Sequence, residues 1–249
     1  MSANPNPFRL DGKLALVTGA GRGIGRAVAL ALAGAGAELL LNSRSPSELD
    51  AAAGEIAAQG GRAQTLPFDV TDSEAARGAI AGLPRLDTLV NNAGMNRPQP
   101  FLEVDEATLD GMIALNVKAA FVVAQAAARH MVKAGAGVIV NMSSQMGHVG
   151  SERDRTAYVM TKHAVEGLTK AMAAELAPKG VRVVSIAPTF ITTPLTAPFF
   201  ENAEFKKWVE DRIPLGRIGT VEEVANAVLF LASPAASLLT GSALLADGG

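Results

Sequence analysis

Seven short apolar runs, at residues 14–17, 39–41, 63–68, 86–90, 138–142, 181–186 and 242–246, alternate with longer alanine-rich stretches whose apolar residues recur at helical spacing. The runs have the length of strands, and the stretches between them are mostly long enough to be crossover helices. A strand, a helix and a second strand in succession place the two strands parallel, with the helix covering one face of the sheet. Repetition of that unit predicts an α/β fold, a doubly wound sheet of about seven parallel strands with helices on both faces. Strands buried on both sides should be continuously apolar rather than alternating, and these seven read that way.

No repeat, low-complexity block or linker-like shift of composition marks a boundary, so residues 1–249 are expected to form one domain. Thr220-Val-Glu-Glu223 has the form of a capping box, opening a helix that should run to about 231, ahead of Pro234. A long helix is expected from about 105 to Gly135, a residue suited to a left-handed cap. Only 190–214 looks irregular, with Pro194, Pro198 and Pro214 around an amphipathic segment at 201–212.

Composition excludes several classes of function. Lys+Arg number 22 against 24 Asp+Glu, a net charge of −2, which argues against electrostatic capture of nucleic acid or of an anionic membrane. There is no cysteine, hence no disulfide scaffold, thiolate metal centre or cysteine nucleophile. His130, His148 and His163 stand far apart and outside any metal-binding spacing, so no metal site is expected. The first residues are polar, without the apolar run of a signal peptide, and no run of apolar residues is long enough for a membrane span. A soluble, cytoplasmic protein is expected.

The first apolar run leads into Thr18-Gly-Ala-Gly-Arg-Gly-Ile-Gly25 and then into an apolar helix from about 24 to 33. Glycines at such a turn let the backbone approach a phosphate, while the helix N-terminus offers free N–H groups and a positive dipole end. The spacing of Gly19, Gly23 and Gly25 differs from the strict Gly-x-Gly-x-x-Gly fingerprint, and a tight turn without a ligand is the competing reading. NAD enzymes commonly place an acid about 20 residues further on, to hold the ribose 2′-hydroxyl. This chain has Asn42-Ser43-Arg44 there, and the next acid is Glu48. An arginine can bind a 2′-phosphate that an acid would repel, and Arg22 could supply a second cation. The pair points to NADP(H), with NAD(H) as the alternative cofactor; a solvated surface role for Arg44 is the competing reading.

The only tyrosine, Tyr158, opens Tyr158-Val-Met-Thr-Lys162 in an apolar helical segment, 14 positions after Ser144. Residues four apart share a helix face, so phenol and ammonium point the same way. A free phenol titrates near pH 10 and is a poor acid–base catalyst at neutral pH; a neighbouring cation should lower that value. Ser143-Ser144 ends the fifth run, where open α/β sheets carry functional residues, and its competing reading is a strand-end turn. Asn116 interrupts a strongly apolar helix, so its amide is either a structural bridge or part of a proton relay.

Taken together, TGAGRGIG at 18–25, Asp69-Val70, NNAG at 91–94, Asn116, Ser144, Tyr158-x-x-x-Lys162, Pro188 and the closing Asp247-Gly-Gly resemble the short-chain dehydrogenase/reductase family over essentially the whole chain. The resemblance implies a Rossmann-like fold and hydride transfer between a nicotinamide cofactor and a carbonyl or secondary alcohol. It makes Tyr158 the general acid/base and Ser144 the group that steadies the substrate oxygen. Lys162 would bind the nicotinamide ribose and lower the tyrosine pKa, and Asn116 would hold a relay water. Gly19, Gly21, Arg22, Gly23, Ile24 and Gly25 would form the phosphate loop, with Ser43 and Arg44 beside the ribose. Asp69 and Val70 would meet the adenine, Asn92, Ala93 and Gly94 would line the cofactor, and Pro188, Ile191 and Thr193 would border the carboxamide. A homotetramer is implied, with the long helices and last strand at its interfaces. Thr189 departs from the family's usual Pro-Gly.

Residues 190–208 hold Phe190, Phe199, Phe200, Phe205 and Trp208, five of the chain's eleven aromatics. This suggests a substrate lid over about 190–214, with an aromatic subunit interface as the competing reading. Opposite it, the 145–157 loop is polar, and Gln145, His148 and Arg155 join Phe190 and Phe199 as candidate substrate residues. Polar groups around an apolar pocket suit a small hydroxylated or anionic molecule, sugar- or polyol-like by resemblance. The alternatives are a 3-oxoacyl-carrier-protein reductase and a non-catalytic dinucleotide-binding scaffold.

Overall fold

A computed structural model of the chain describes residues 6–194 and 196–249. Residues 1–5, which include most of the polar N-terminus, and Leu195, inside the 190–214 segment, lie outside the described residues. Seven strands, β1 (Leu14–Thr18), β2 (Glu38–Asn42), β3 (Arg62–Thr65), β4 (Thr88–Asn91), β5 (Gly137–Met142), β6 (Val181–Pro188) and β7 (Ala243–Ala246), form one sheet. Every pairing is parallel, in the order β3-β2-β1-β4-β5-β6-β7. The chain winds outward from β1 to β3, then returns to β4 and winds the other way. That reversal opens a crevice beyond the carboxyl ends of β1 and β4.

The inner strands are apolar on both faces because each face has its own helical cover. On β1, Ala15 and Val17 join one apolar cluster, and Leu14 and Leu16 join the other. On β2, Leu39 and Leu41 face the first cluster and Leu40 the second. Helices α1 (Gly23–Gly34) and α8 (Val221–Ala232) close the first through Val28, Leu32, Val224 and Val228. Helices α3 (Ser73–Ala81) and α5 (Ala120–Ala134) close the second through Ile80, Val123 and Met131. Each such fully buried side chain contributes roughly 1.5–3 kcal/mol of transfer free energy.

Two expectations need correction. The third run does not form a strand across 63–68; β3 stops at Thr65, and its residues are largely exposed. It is an edge strand with a single neighbour, so only Ala63 within it, and Leu66 and Phe68 after it, pack against the apolar clusters. The helix expected from 105 to Gly135 is also not uniform. Asp105 caps α4 (Glu106–Ile113), the segment Ala114–Ala119 takes π-helical hydrogen bonding, and α5 follows to a left-handed Gly135. Among the described residues, Glu106–Ala134 is the one helical stretch long and apolar enough to cross a membrane, and half of its apolar window is buried inside the protein. The capping box at Thr220 and Glu223 is present with both of its hydrogen bonds. The amphipathic segment at 201–212 contains helix α7 (Ala203–Glu210).

Candidate active site

The crevice is a cleft of about 870 Å³ bordered by the loops after β1, β2, β4, β5 and β6. Its first wall is the glycine loop. Gly19 adopts φ +67°, which a side chain would strain, and a Cβ on Gly25 would collide with the Gly19 carbonyl and the Asn92 amide. The Asn92 Nδ2 in turn donates to Thr18 O at 2.8 Å, and the Thr18 hydroxyl accepts from Asn92 and Ala93 N–H at 3.0 Å. The loop is thus pressed against the NNAG turn. Helix α1 begins with no side-chain cap and no acid in its first turn, so its leading N–H groups are left for a ligand. A cradle with no room for a side chain, feeding uncapped amides, fits the diphosphate of a dinucleotide.

At the far end of this wall Arg44 lies 3.7 Å from Asp69, and Arg22 lies 3.8 Å from Glu48. Desolvation works against ionisation of Asp69, but hydrogen bonds from Thr71 and the Arg44 charge prevail and hold its pKa below the usual value. Gly21, Gly23, Ile24, Ser43, Val70, Gly94, Pro188, Ile191 and Thr193 line the same cleft, as the resemblance implied.

Ser144 follows β5, and Tyr158 and Lys162 lie on α6 (Thr156–Leu176). The Ser144 hydroxyl is near enough to the Tyr158 phenol to lower its pKa, and the Lys162 Nζ sits 5.5 Å from the centre of the tyrosine ring while donating to Met142 O at 2.8 Å. The electrostatics differ from the expectation. Although the tyrosine keeps some contact with the cleft, burial of its hydroxyl pushes its pKa up to about 12, against the opposing effects of Ser144 and of the Arg155 charge. Burial likewise pushes Lys162 down to about 8, with Glu166 opposing. Desolvation therefore outweighs the Arg155 charge that favours the phenolate.

Asn116 does not line the cleft. Its Oδ1 accepts from Met95 N at 2.8 Å, and its Nδ2 donates to Met95 O at 2.8 Å and to the Thr161 hydroxyl at 3.1 Å. Thr161 in turn donates to Tyr158 O at 2.8 Å. These bonds tie the turn after β4 to the helix that carries the tyrosine. His148 also misses the cleft. Its Nε2 turns to the buried Glu166, 3.3 Å from Oε1, because the short helical turn at Gln145–Gly147 carries the chain past the opening. Gln145, Arg155, Phe190 and Phe199 do line it.

The sequence reasoning missed Asn96 and Arg97 and noted Thr189 only as a departure from the family pattern; all three border the cleft. Position directly after the NNAG turn and after Pro188 was the available signal. Thr189 is accommodated without strain, since Asp154 is the one described residue besides glycines with a positive φ. The aromatic segment folds on itself: Phe190 meets Phe200, Phe205 and Trp208 edge-on at 6.0–6.4 Å. Arg153 and Arg212 each lie 4.1 Å from the Trp208 ring centre, and Arg212 pairs with Glu152 at 2.7 Å. The 145–157 loop is thereby latched to the segment opposite.

Comparison with known proteins agrees with this arrangement. A family model described as Enoyl-(Acyl carrier protein) reductase, one of the short-chain dehydrogenase/reductase models, matches residues 19–249. A gluconate 5-dehydrogenase of Gluconobacter oxydans (strain 621H) is 42% identical, over 99% of this chain and 98% of its own. A galactitol 2-dehydrogenase (L-tagatose-forming) of Cereibacter sphaeroides is 44% identical, over 97% and 96%. The crystal structure of a gluconate 5-dehydrogenase from Burkholderia cenocepacia J2315, in complex with NADP and tartrate, superposes with a TM-score of 0.93 at 38% identity, covering 98% of this chain and 96% of that one. With its parallel sheet, its glycine cradle and its Ser144, Tyr158 and Lys162 gathered in one cleft, the chain belongs to the short-chain dehydrogenase/reductase family of oxidoreductases.

Proposed function

We propose that this protein is an NADP(H)-dependent oxidoreductase that interconverts a carbonyl and a secondary alcohol on a small sugar- or polyol-like molecule. The observation that carries the reading is the gathering of Tyr158, Ser144 and Lys162 in one cleft, with the Lys162 ammonium beside the tyrosine ring. The gluconate and galactitol dehydrogenases among its relatives, and the NADP in the Burkholderia cenocepacia structure, support the substrate class and the cofactor.

The glycine loop and the open end of α1 would hold the diphosphate, Arg22 and Arg44 the 2′-phosphate, and Lys162 the nicotinamide ribose. When bound, the nicotinamide supplies or takes up the hydride. A phenol raised to about 12 is protonated at neutral pH, so Tyr158 is poised to give its proton to a carbonyl oxygen that the Ser144 hydroxyl also holds. In the oxidative direction the phenolate is needed, and the nearby Arg155 charge favours it. Asn116 acts by fixing the helix that bears the tyrosine. The 190–214 segment, joined to Arg153 and Arg155 through its aromatics, serves as the lid that excludes water.

A homotetramer is part of the proposal: Phe121 on α5, Met160 on α6 and Leu245 on β7 are exposed apolar side chains on the elements that would meet. A cytoplasmic site of action is proposed with it, where reduced nicotinamide cofactor is supplied. A 3-oxoacyl-carrier-protein reductase is the weaker reading, because Arg153 and Arg212 at the rim are engaged by Trp208 and Glu152 rather than presented to an acidic carrier.

Thermal stabilisation by NADPH and by NADH tests the cofactor, since a ligand of the folded state raises Tm by mass action. The expected result is a larger shift with NADPH; no shift with either at millimolar concentration overturns the reading. Tyr158→Phe should keep the NADPH shift and lose turnover by at least about 100-fold. Near-normal turnover in that variant would remove the tyrosine from the chemistry.

A further inference from the structure

Among the described residues, six buried side-chain polar atoms have no hydrogen-bond partner, and four of them belong to residues that line the cleft: Asn96 Oδ1, Ser143 Oγ, Arg155 Nη1 and Thr189 Oγ1. Buried polar groups are ordinarily satisfied, and an unpaired donor on a charged guanidinium is the most costly of these to leave so. Arg155 stands apart from the other cleft cations. Arg22 and Arg44 have Glu48 and Asp69, and Lys162 has Met142 O with Glu166 behind it. Arg97 is exposed at the rim, where water can satisfy it. Arg155 has no carboxylate within ion-pair distance among the described residues; its guanidinium instead lies over Phe190, 5.4 Å from the ring centre. It is also close enough to Tyr158 for its charge to act on the phenol.

A guanidinium held by an aromatic ring, with a free buried N–H beside the reacting hydroxyls, is a receptor for a planar anion. We infer that the substrate carries a carboxylate that Arg155 binds. The substrate class is then a polyhydroxylated acid and its keto-acid partner, rather than a neutral alditol or ketose. This inference rests on the oxidoreductase reading above and deepens it.

The test is a matched panel with NADP⁺: four- to six-carbon aldonates, each beside the alditol of the same carbon skeleton. It is run on the wild type, Arg155→Met, Arg155→Lys and Arg97→Met. The wild type should oxidise at least one aldonate with a kcat/KM well above that of its alditol. Arg155→Met should raise KM for that aldonate roughly 10- to 100-fold, the usual effect of losing hydrogen bonds to a charged group, with a smaller change in kcat. Loss of the Arg155 charge from the phenolate should slow aldonate and alditol alike, so the deciding readout is the aldonate-to-alditol ratio of kcat/KM, which should fall in Arg155→Met, recover in part in Arg155→Lys and stay at the wild-type value in Arg97→Met. The NADPH-induced rise in Tm, measured on every variant, shows that the fold and cofactor site are intact. Alditols used as well as aldonates, selectivity surviving in Arg155→Met, selectivity lost in Arg97→Met instead, or no aldonate accepted while NADPH still stabilises the protein would each overturn the carboxylate subsite. Failure of the oxidoreductase reading looks different: neither class reacts and neither cofactor stabilises.

Discussion

Lys162 and Glu166 lie one helical turn apart on α6, both buried, and the carboxylate opposes the desolvation that pushes the ammonium down to about 8. Glu166 is itself fixed from behind, by a 2.8 Å hydrogen bond donated by Ser185 on β6 and by the His148 ring 3.3 Å away. The face of α6 that meets the cofactor side of the cleft thus carries a tyrosine, a lysine and a glutamate at successive turns, and the last of these sets the charge of the second.

Replacing Glu166 with glutamine removes that support while keeping the shape. Lys162 should then lose its proton at a lower pH than about 8. The alkaline limb of the kcat/KM profile is expected to move to lower pH, with the rate near pH 6 almost unchanged and Glu166→Asp partly restoring the limb. A uniform loss of rate at every pH would mean that Glu166 serves packing alone.

A buried lysine with a depressed pKa also marks the stability of the protein. Between about 8 and the ordinary lysine value of 10.5 the unfolded chain binds a proton at Lys162 that the folded chain does not, so this group makes stability rise with pH across that window. Below it, the charged form is buried at a cost. Lys162→Met should therefore gain most in Tm relative to the wild type below pH 8, and the difference should shrink as pH approaches 10.5. A constant difference over that range would contradict the depressed pKa.

Arg44 is 80% exposed and touches Asp69 only at 3.7 Å, so its replacement should leave stability within about 0.5 kcal/mol. Arg44→Asp is expected to reverse the ratio of NADPH to NADH affinities, through loss of the cation and repulsion by two adjacent acids. Titration of both cofactors by fluorescence reads the ratio; an unchanged value would exclude Arg44 from the 2′-phosphate site.

The Thr220 hydroxyl accepts from Glu223 N at 3.3 Å while Glu223 accepts from Thr220 N at 2.9 Å. Thr220→Ala should cost about 1 kcal/mol, roughly 2–4 °C of Tm in a chain of this size. The cap lies at the start of α8, whose Val224 and Val228 close one face of the sheet, so the loss should appear in the main thermal transition.

Much of this architecture was legible in the residues because it depends on local pattern. Apolar runs, a glycine cluster and a capping box state their structure within ten residues, and the parallel order follows from alternation. What escaped depends on distant neighbours. Burial around Tyr158 comes from several loops, so a rule that weighed only Lys162 mistook the direction of its pKa. The turn at Gln145–Gly147 sends His148 toward Glu166, which lies 18 positions further along the chain. The exposure of β3 follows from its place at the edge, which Gln64, Thr65 and Pro67 hint at and a reading of 63–68 as continuously apolar passed over. The orphaned atoms of Asn96 and Thr189 became visible only when three separate loops met.

The π-helical turn at Ala114–Ala119 has a consequence for how this chain can vary. Such a turn holds about one residue more than a regular one, so deleting a single residue there would give an unbroken α-helix at no cost to local hydrogen bonding. The deletion would also rotate everything beyond it by about 100° relative to everything before it. Either Asn116 would leave Met95 and Thr161, or Val123 and Met131 would turn off the sheet. The surplus residue is therefore the gear tooth that keeps two independent contacts in phase, and length at this point should be less negotiable than residue type.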